Sequence, residues 1–378
     1  MSTMGARKNS KYSQIYEEIR SGIVNGRFRP GEQLPTEYEL CRQYSVSRPT
    51  VTRALNMLQS EGLLHRRSGS GSFVSSVPAE RDQTSQIYFG LLIPRLGVTE
   101  IFEPICASIA QQSRANNFHI LWGDSAAHGD ASVIEAAEDT CRRYIEANVS
   151  GIFYVPLELV EGHTEANRRI AAMLEEAQIP VVMLDADYLP FPERSRFDLV
   201  GIDNVQAGYR LTRHFLEQGA TRVDYLYRPY SAQTIFARLR GYKSALVDAG
   251  IMPEGSWVHE GEPGETETVR ALLDTGATDI VCANDATAFT LLHSLEELGA
   301  RVPEDIRLTG VDDVKYSRYA RVPLTTIRQP CDTIGRLAVT AMMSRLNTPD
   351  ADPFTITAQP ELISRRSSQR ENAAVASV

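Results

Sequence analysis

Val46-Ser47-Arg48-Pro49-Thr50-Val51-Thr52-Arg53-Ala54-Leu55 is the stretch on which the reading of this 378-residue chain turns. Wound as a helix, it puts Val51, Ala54, Leu55 and Leu58 on one face at helical spacing. Arg48, Thr50, Thr52 and Arg53 then stay at the amino-terminal end or on the open face, the part of a recognition helix that enters a major groove. Working outward, Tyr12, Ile15, Tyr16, Ile19 and Ile23 predict an amphipathic first helix that Gly26 can end. Arg29-Pro30-Gly31 is a turn signal. Thr36 with Glu39 three residues on is a capping box, so a second helix begins there and buries Leu40, Cys41 and Tyr44. Ser45-Val46-Ser47 makes the turn, Ser47 can cap the third helix, and Pro49 fits its first turn, where the missing N–H does no harm. Gly62 closes that helix. Residues 63–67 and 72–74 then read as two short strands around Gly69-Ser70-Gly71. The whole is a winged helix-turn-helix over residues 1–75. A small helical bundle with a glycine turn is the plainer alternative.

Charge decides between them. The chain carries a net charge of −9, yet residues 1–75 hold 11 Lys+Arg against 6 Asp+Glu, and the remainder holds 28 against 42. A basic head on an acidic body suits a polyanion partner. No apolar run approaches the ~20 residues that cross a membrane, and the first ten residues lack the apolar segment of a secretory signal, so a cytoplasmic protein is expected. The five cysteines are scattered and form no CxxC pair. They read as reduced packing residues and not as a disulfide or metal framework.

After a polar linker at 76–86 the texture becomes strand-helix alternation. Residues 87–94, 118–122, 151–155, 180–184, 199–202, 223–227, 279–283 and 307–311 predict buried parallel strands in two sets of about four, hence two doubly wound α/β lobes. No GxxxxGK[ST], GxGxxG, GxSxG or HExxH accompanies them. The expectation is a ligand-binding clamshell with no catalytic residue, metal or cofactor, its cleft at the carboxyl ends of the strands. Polar residues gather at those ends: Asp185 and Asp187, Thr234 and Arg238, Asn284 and Asp285, Asp312 and Asp313. Carboxylates accept from ligand hydroxyls and arginine donates to them, so a polyhydroxylated molecule suits the set. A helix N-cap is the competing role for Asp285 and Asp313. Phe102 could stack on a ring face, although a lone phenylalanine is more often core.

Two resemblances add to this. GEQLPTEYELCRQYSVSRPTVTRALNMLQSEGLLHRRSGSGSFV, residues 31–74, closely resembles the GntR family. That resemblance implies a DNA-binding head with Arg48 and Thr50 at the groove, and Ser47, Pro49, Thr52 and Arg53 are further candidates for DNA contact on the same helix. It puts Gly69, Ser70 and Gly71 of the wing in the minor groove, with Arg66 and Arg67 on phosphates. Family members often carry arginine where this chain has Tyr38 and Thr52. Threonine does not read guanine bidentately, so a different operator is expected. Residues 87–365 resemble the effector-binding body of the LacI/GalR family through PVVMLDADY, VGIDNVQAGYRLTRHFLEQG, ARLRGYKSAL, DIVCANDATAFTLLHSLEELG and LTGVDDVKYSRYARVPLTTIRQP. This implies a type I periplasmic-binding-protein-like fold, with Asp185, Arg238, Asn284 and Asp312 at a sugar. It also implies three crossings between lobes, near 198–203, near 323–326 and just after Leu346. The lobes would then be 87–199 with 325–350 and 200–324 with 351–367, followed by a tail from 368. A GntR head on a LacI-like body is the arrangement of the arabinose-repressor subgroup, except that the usual hinge helix before the body is not visible here. The function implied is a homodimeric repressor that binds double-stranded operator DNA under control of a small sugar. The alternatives are an activator, or a sugar-binding or sugar-processing protein without specific DNA binding.

Overall fold

The computed structural model describes residues 11–29, 31–60, 63–67, 71–75, 86–94, 100–123 and 130–369. The chain forms two compact units, Met1–Ser85 and Gln86–Val378.

In the first unit, helices α1 (Lys11–Val24), α2 (Glu37–Tyr44) and α3 (Arg48–Ser60) precede strands β1 (Leu64–Arg67) and β2 (Gly71–Val74). The periodicity does what it promised. Ile15, Ile19, Val51, Ala54, Leu55 and Leu58 are all buried, and they close on Leu34, Leu40, Leu64 and Val74. The capping box is real: Thr36 Oγ1 accepts from the Glu39 N–H, and Glu39 accepts back from the Thr36 N–H. Strands β1 and β2 pair antiparallel from Leu64↔Val74 to Arg67↔Gly71. Residues 31–34 lie along the other edge of β2 through Gly31 N–H to Val74 O, Val74 N–H to Glu32 O and Leu34 N–H to Ser72 O. Gly62, expected to close α3, and residues 76–85 of the linker, expected to carry no hinge helix, lie outside the described residues.

The second unit is two lobes of one plan. The first sheet collects β3 (Ile87–Leu92), β4 (Phe118–Trp122), β5 (Gly151–Tyr154), β6 (Val181–Leu184), β7 (Asp198–Ile202) and β13 (Thr355–Ala358), in the order β13-β7-β6-β5-β3-β4. All its pairings are parallel. Helices α4 (Phe102–Gln111), α5 (Ser113–Asn116), α6 (Asp130–Glu146), α7 (His163–Glu176) and α13 (Cys331–Asn347) belong to this lobe. The second sheet runs β14-β12-β11-β10-β8-β9, from β8 (Asp224–Tyr227), β9 (Val258–Glu260), β10 (Asp279–Cys282), β11 (Arg307–Asp312), β12 (Thr325–Arg328) and β14 (Glu361–Ile363). Only the edge strand β14 is antiparallel to its neighbour. Its helices are α8 (Asn204–Leu216), α9 (Gln233–Asp248), α10 (Thr266–Asp274), α11 (Asp285–Glu297) and α12 (Lys315–Tyr319).

The second and third crossings lie later in the chain than the sequence expectation, and the first falls at the far end of the expected 198–203. Strand β7 belongs to the first lobe, β12 to the second and β13 to the first. The crossings therefore fall at Asp203, at Gln329-Pro330 and at Gln359-Pro360. The lobes are 86–202 with 331–358, and 204–328 with 361–369. Strands β9 (VHE), β12 (TTIR), β13 (TITA) and β14 (ELI) have no continuous apolar run and too few residues to show a period, so the pattern does not mark them. Nor is residue 368 the start of a loose tail. Ser368 is fully buried, its hydroxyl 2.7 Å from Thr325 Oγ1 and 2.7 Å from His214 Nε2.

Buried charges staple these ends. Asp198 takes two nitrogens of Arg345 at 2.7 and 2.8 Å and the Phe354 N–H, tying α13 and the approach to β13 onto β7. Asp224 takes Arg222 at 2.8 Å through both oxygens, and His259 lies 2.8 Å away. The described cysteines carry no disulfide, and Cys106, Cys141 and Cys282 are buried packing residues as expected.

Candidate functional site: a recognition helix and a polar cluster between two lobes

On the head, Arg48 opens α3, and its side chain is 80% exposed. Glu37, at the start of α2, holds it: Arg48 Nε donates to Glu37 Oε2 at 2.8 Å, and the Thr52 hydroxyl donates to Glu37 Oε1 at 3.3 Å. Glu37 thus fixes two residues of the expected groove face, a role the sequence reading missed. An acidic residue on the face of a basic head was the available signal. Ser47 and Thr50 pair through their hydroxyls at 3.0 Å. Arg53 folds its guanidinium over the Tyr12 ring at 4.3 Å, which ties α3 to α1. Pro49 is exposed. Arg66 and Arg67 lie in β1 and Gly71 opens β2, while Gly69 and Ser70 fall outside the described residues.

Between the lobes, backbone geometry sets the polar groups first. Asp185, just past β6, has φ 68, and Asp312, at the end of β11, has φ 125. Both are costly for a non-glycine residue and recur where a side chain must be aimed. Arg238 comes from α9, which crosses α8 with backbone against backbone. A Cβ at Gly241 would lie 1.9 Å from Val205 O, and one at Gly208 would lie 1.9 Å from Arg238 O. That close approach lets Arg238, 3% exposed, donate from Nε to Asn204 Oδ1 at 2.8 Å and from Nη1 to Ala283 O at 2.7 Å. Gln329, in the second crossing, donates from Nε2 to Asp312 Oδ1 at 2.9 Å. Thr234 is buried in the first turn of α9.

Electrostatics bind the group together. Burial pushes the Asp312 carboxyl up to about 7; the Arg238 charge and the Gln329 amide pull it down, while Asp185 and Glu158 push it further up. Burial also raises Asp185, against Arg238 and Gln329. One guanidinium therefore acts on two carboxylates, Asp185 from the first lobe and Asp312 from the second. At the rim the lobes meet through the Leu159 N–H, which donates to Tyr230 O at 2.7 Å, and through Arg240, stacked on Phe191 at 4.6 Å. A cavity of about 390 Å³ opens beside Asp185, Asn204 and Thr234, with Phe191 and Arg240 on its wall.

Not every expected residue joins this cluster. Asp285 is fully buried and turned into the second lobe: Oδ1 accepts from the Thr326 hydroxyl at 2.6 Å, and Oδ2 accepts from the Ser317 hydroxyl at 2.5 Å and the Val314 N–H at 3.2 Å. Burial, with Asp312 adding to it, raises its carboxyl well above the ordinary range. It clamps α11 to β12 and α12. Nor is Asp285 the N-cap: Asn284 caps α11, its Oδ1 accepting from the Thr287 N–H at 2.9 Å. Asp313 pairs with Arg328 and Arg365, each at 2.6 Å. Phe102 is a core ring, 5% exposed in the apolar cluster with Phe89 and Phe153. Asp187 organises its own loop through Leu189 N–H and Ser195. Among the described residues no His/Cys/Asp/Glu group has metal-ligand geometry, and no helix is long and apolar enough to cross a membrane.

Comparison with known proteins agrees with both halves. Residues 11–74 match the bacterial regulatory proteins of the gntR family, and residues 212–368 match the periplasmic binding protein-like domain. The chain joins a GntR head to a periplasmic-binding-protein-like body. It is 28% identical over 370 residues, 95% of this chain and 98% of the other, to the arabinose metabolism transcriptional repressor of Geobacillus stearothermophilus. The body superposes on the transcription regulator CcpA of Lactococcus lactis with TM-score 0.64 at 22% identity, covering 75% of this chain and all of that one. It also superposes on a ribose-bound LacI family transcriptional regulator from Enterococcus faecalis, with TM-score 0.60 at 26% identity, covering 74% and 98%. The GntR head thus carries helix α3, and the periplasmic-binding-protein-like body carries the two lobes.

Proposed function

We propose that this chain is a ligand-responsive DNA-binding transcription regulator, a repressor of sugar-utilisation genes whose operator affinity is set by a small sugar held between the lobes. One observation carries the reading: helix α3 with an exposed Arg48 shares its chain with a body that gathers Asp185, Arg238 and Asp312 where two lobes meet. A hydroxyl-rich molecule suits that chemistry, because carboxylates accept from hydroxyls and a guanidinium donates to them. Two relatives, an arabinose metabolism repressor and a ribose-bound regulator, support a pentose-sized effector.

In this reading two copies pair so that two heads meet two half-sites of a pseudo-palindrome in the cytoplasm. The sugar contacts residues of both lobes and so prefers the lobes-together form. A ligand without that difference could not shift the equilibrium. The chain binds its sugar and does not transform it. Asp285, which with Asp312 could have formed an acid–base pair, spends both oxygens on Thr326, Ser317 and Val314. The test is a thermal-shift panel of pentoses and hexoses on the full chain, followed by gel shifts on upstream promoter fragments with each binder. A binder stabilises by RT ln(1 + [L]/Kd). The reading expects a sugar that both raises the melting point and changes the gel shift. Turnover of the sugar with no DNA shift supports a sugar-processing protein instead.

A further inference from the structure

The second sheet holds a cavity at the end away from the interlobe cluster. Asp312 closes β11 and Arg307 opens it, so roughly 17 Å of strand separates the two. This cavity, of about 770 Å³, lies where α8 and α10 end. Its polar wall includes Gln218, Arg222, Thr278, Asp279, Arg307 and Gln369. Arg307 and Asp279 stand opposite each other in register on β11 and β10, and Arg307 Nε donates to Asp279 Oδ1. Their side chains are only 4% and 5% exposed. A buried ion pair is seldom worth more to stability than apolar residues of the same volume, so one set into a cavity wall points to a ligand. Arg307 is also held in place: its guanidinium lies over the Phe215 ring at 5.2 Å, and Nη1 donates to Gln218 Oε1 at 3.1 Å. A guanidinium offers five N–H donors in a planar fork. Among the described residues, Arg307 spends two of them on Asp279 and Gln218. Arg222 adds a second guanidinium, and its partner Asp224 is fully buried and no part of the wall. Arg222 Nη1 also donates to Thr275 O at 2.6 Å, which covers the carbonyl end of α10, where the helix dipole repels anions. The wall thus sets two guanidiniums against one carboxylate, in a body where acidic residues outnumber basic ones.

We propose that this cavity is a second small-molecule site, which takes the carboxylate or phosphate of a small acidic metabolite between Arg222 and Arg307. Such an oxyanion is acceptor-only and matches the fork of a guanidinium. The Thr278 hydroxyl and the Gln218 and Gln369 amides are on the same wall for the ligand's neutral polar groups. The volume is that of an ordinary metabolite site, ~300–1,000 Å³. An uncharged sugar has no use for paired guanidiniums, so this site and the interlobe cluster take different ligands.

The experiment is isothermal titration of the full chain with inorganic phosphate and, separately, with succinate, at fixed pH and with sodium chloride holding ionic strength constant. Wild type is compared with Gln369→Glu and with the paired variant Arg307→Gln/Asp279→Asn, which removes both charges together so that neither is left buried alone. Wild type should bind at least one probe saturably, with Kd below ~10 mM. The paired variant should lose that binding. Gln369→Glu places a like charge at an exposed position on the wall and should weaken binding about 5-fold or more. Binding of phosphate alone assigns the site to phosphorylated metabolites, and binding of succinate alone to carboxylic acids; either result supports the proposal. No saturable binding of either probe overturns it. Binding that persists unchanged in both variants also overturns it, because the anion then sits elsewhere, as on the basic head. If the paired variant fails to fold, Gln369→Glu decides: an unchanged Kd there overturns the proposal. No sugar enters these titrations, so the interlobe reading stands or falls separately.

Discussion

Replacing Asp285 by alanine separates a carboxylate that holds the second lobe together from those that face the ligand. Three donors lose their acceptor: the Thr326 hydroxyl at 2.6 Å, the Ser317 hydroxyl at 2.5 Å and the Val314 N–H at 3.2 Å. Each buried donor left unsatisfied costs ~1–3 kcal/mol. The hydroxyls can rotate toward other acceptors, whereas the backbone N–H cannot. Removing the carboxyl also returns part of its own burial cost, which is evident in its raised proton affinity. The net loss should be about 3–5 kcal/mol. At ~2–4 °C per kcal/mol for a unit of this size, the body's melting transition should fall by roughly 6–20 °C. Asp185→Ala makes the contrast, because its Oδ1 has no protein partner to lose. That variant should melt near wild type yet lose the upward shift with sugar. Differential scanning fluorimetry of both variants, with and without sugar, reads this out. An Asp285→Ala variant that melts like wild type and fails to bind sugar refutes the assignment and returns Asp285 to the ligand.

Four further outcomes are expected. Arg48→Ala should cost ~1–3 kcal/mol of operator binding and relax preference at one base pair, read by anisotropy across single-substituted operators; a uniform loss at all sequences makes Arg48 a phosphate contact instead. Glu37→Gln should change which base is preferred there, since it frees Arg48 and Thr52 from one carboxylate; identical operator profiles contradict that role. Gly241→Ala should lower both stability and sugar affinity, because a methyl 1.9 Å from Val205 O must push α9 and Arg238 away; calorimetry that finds wild-type affinity shows Arg238 is not held by this crossing. Asp312, raised by burial to about 7 from an ordinary 3.8, gives a pH signature. Its folded value exceeds its unfolded value, so its share of stability is full below 3.8 and is lost as pH rises through about 7. A sugar hydroxyl that donates to Asp312 favours the ionised form. Affinity should therefore rise with pH across this range, with protons released on binding; titrations in two buffers that show proton uptake exclude the contact.

The head was legible because its signals are local. Val51, Ala54, Leu55 and Leu58 share a face, and Thr36 and Glu39 close a reciprocal cap within four residues. The long inner strands were legible for the same reason, each being a short apolar run. The cluster was only half legible. Asp185, Arg238 and Asp312 sit at strand ends or on a packed helix, where polarity after an apolar run gives them away. Asp285 follows a strand in the same manner, yet the bare Gly310 opposite it, where a Cβ would lie 2.3 Å from Asp285 Oδ1, draws it inward. Nothing local in Ala283-Asn284-Asp285 reports a glycine that lies on another strand. Gln329 and Glu37 escaped because each acts through a partner far along the chain. The lobe boundaries slipped for a related reason: β12 and β13 owe their places to neighbours, Thr309↔Thr325 and Thr355↔Leu199, and not to their own pattern.

The central claim is that sugar between the lobes and DNA on the head are coupled through one chain. Operator affinity, measured by anisotropy at one fixed salt concentration with and without a sugar the protein binds, tests it most directly. The account predicts a change of roughly 5–150-fold, the range of ~1–3 kcal/mol couplings, lost in Asp312→Ala while its sugar-free operator affinity is kept. Equal operator affinity with saturating sugar present and absent contradicts it.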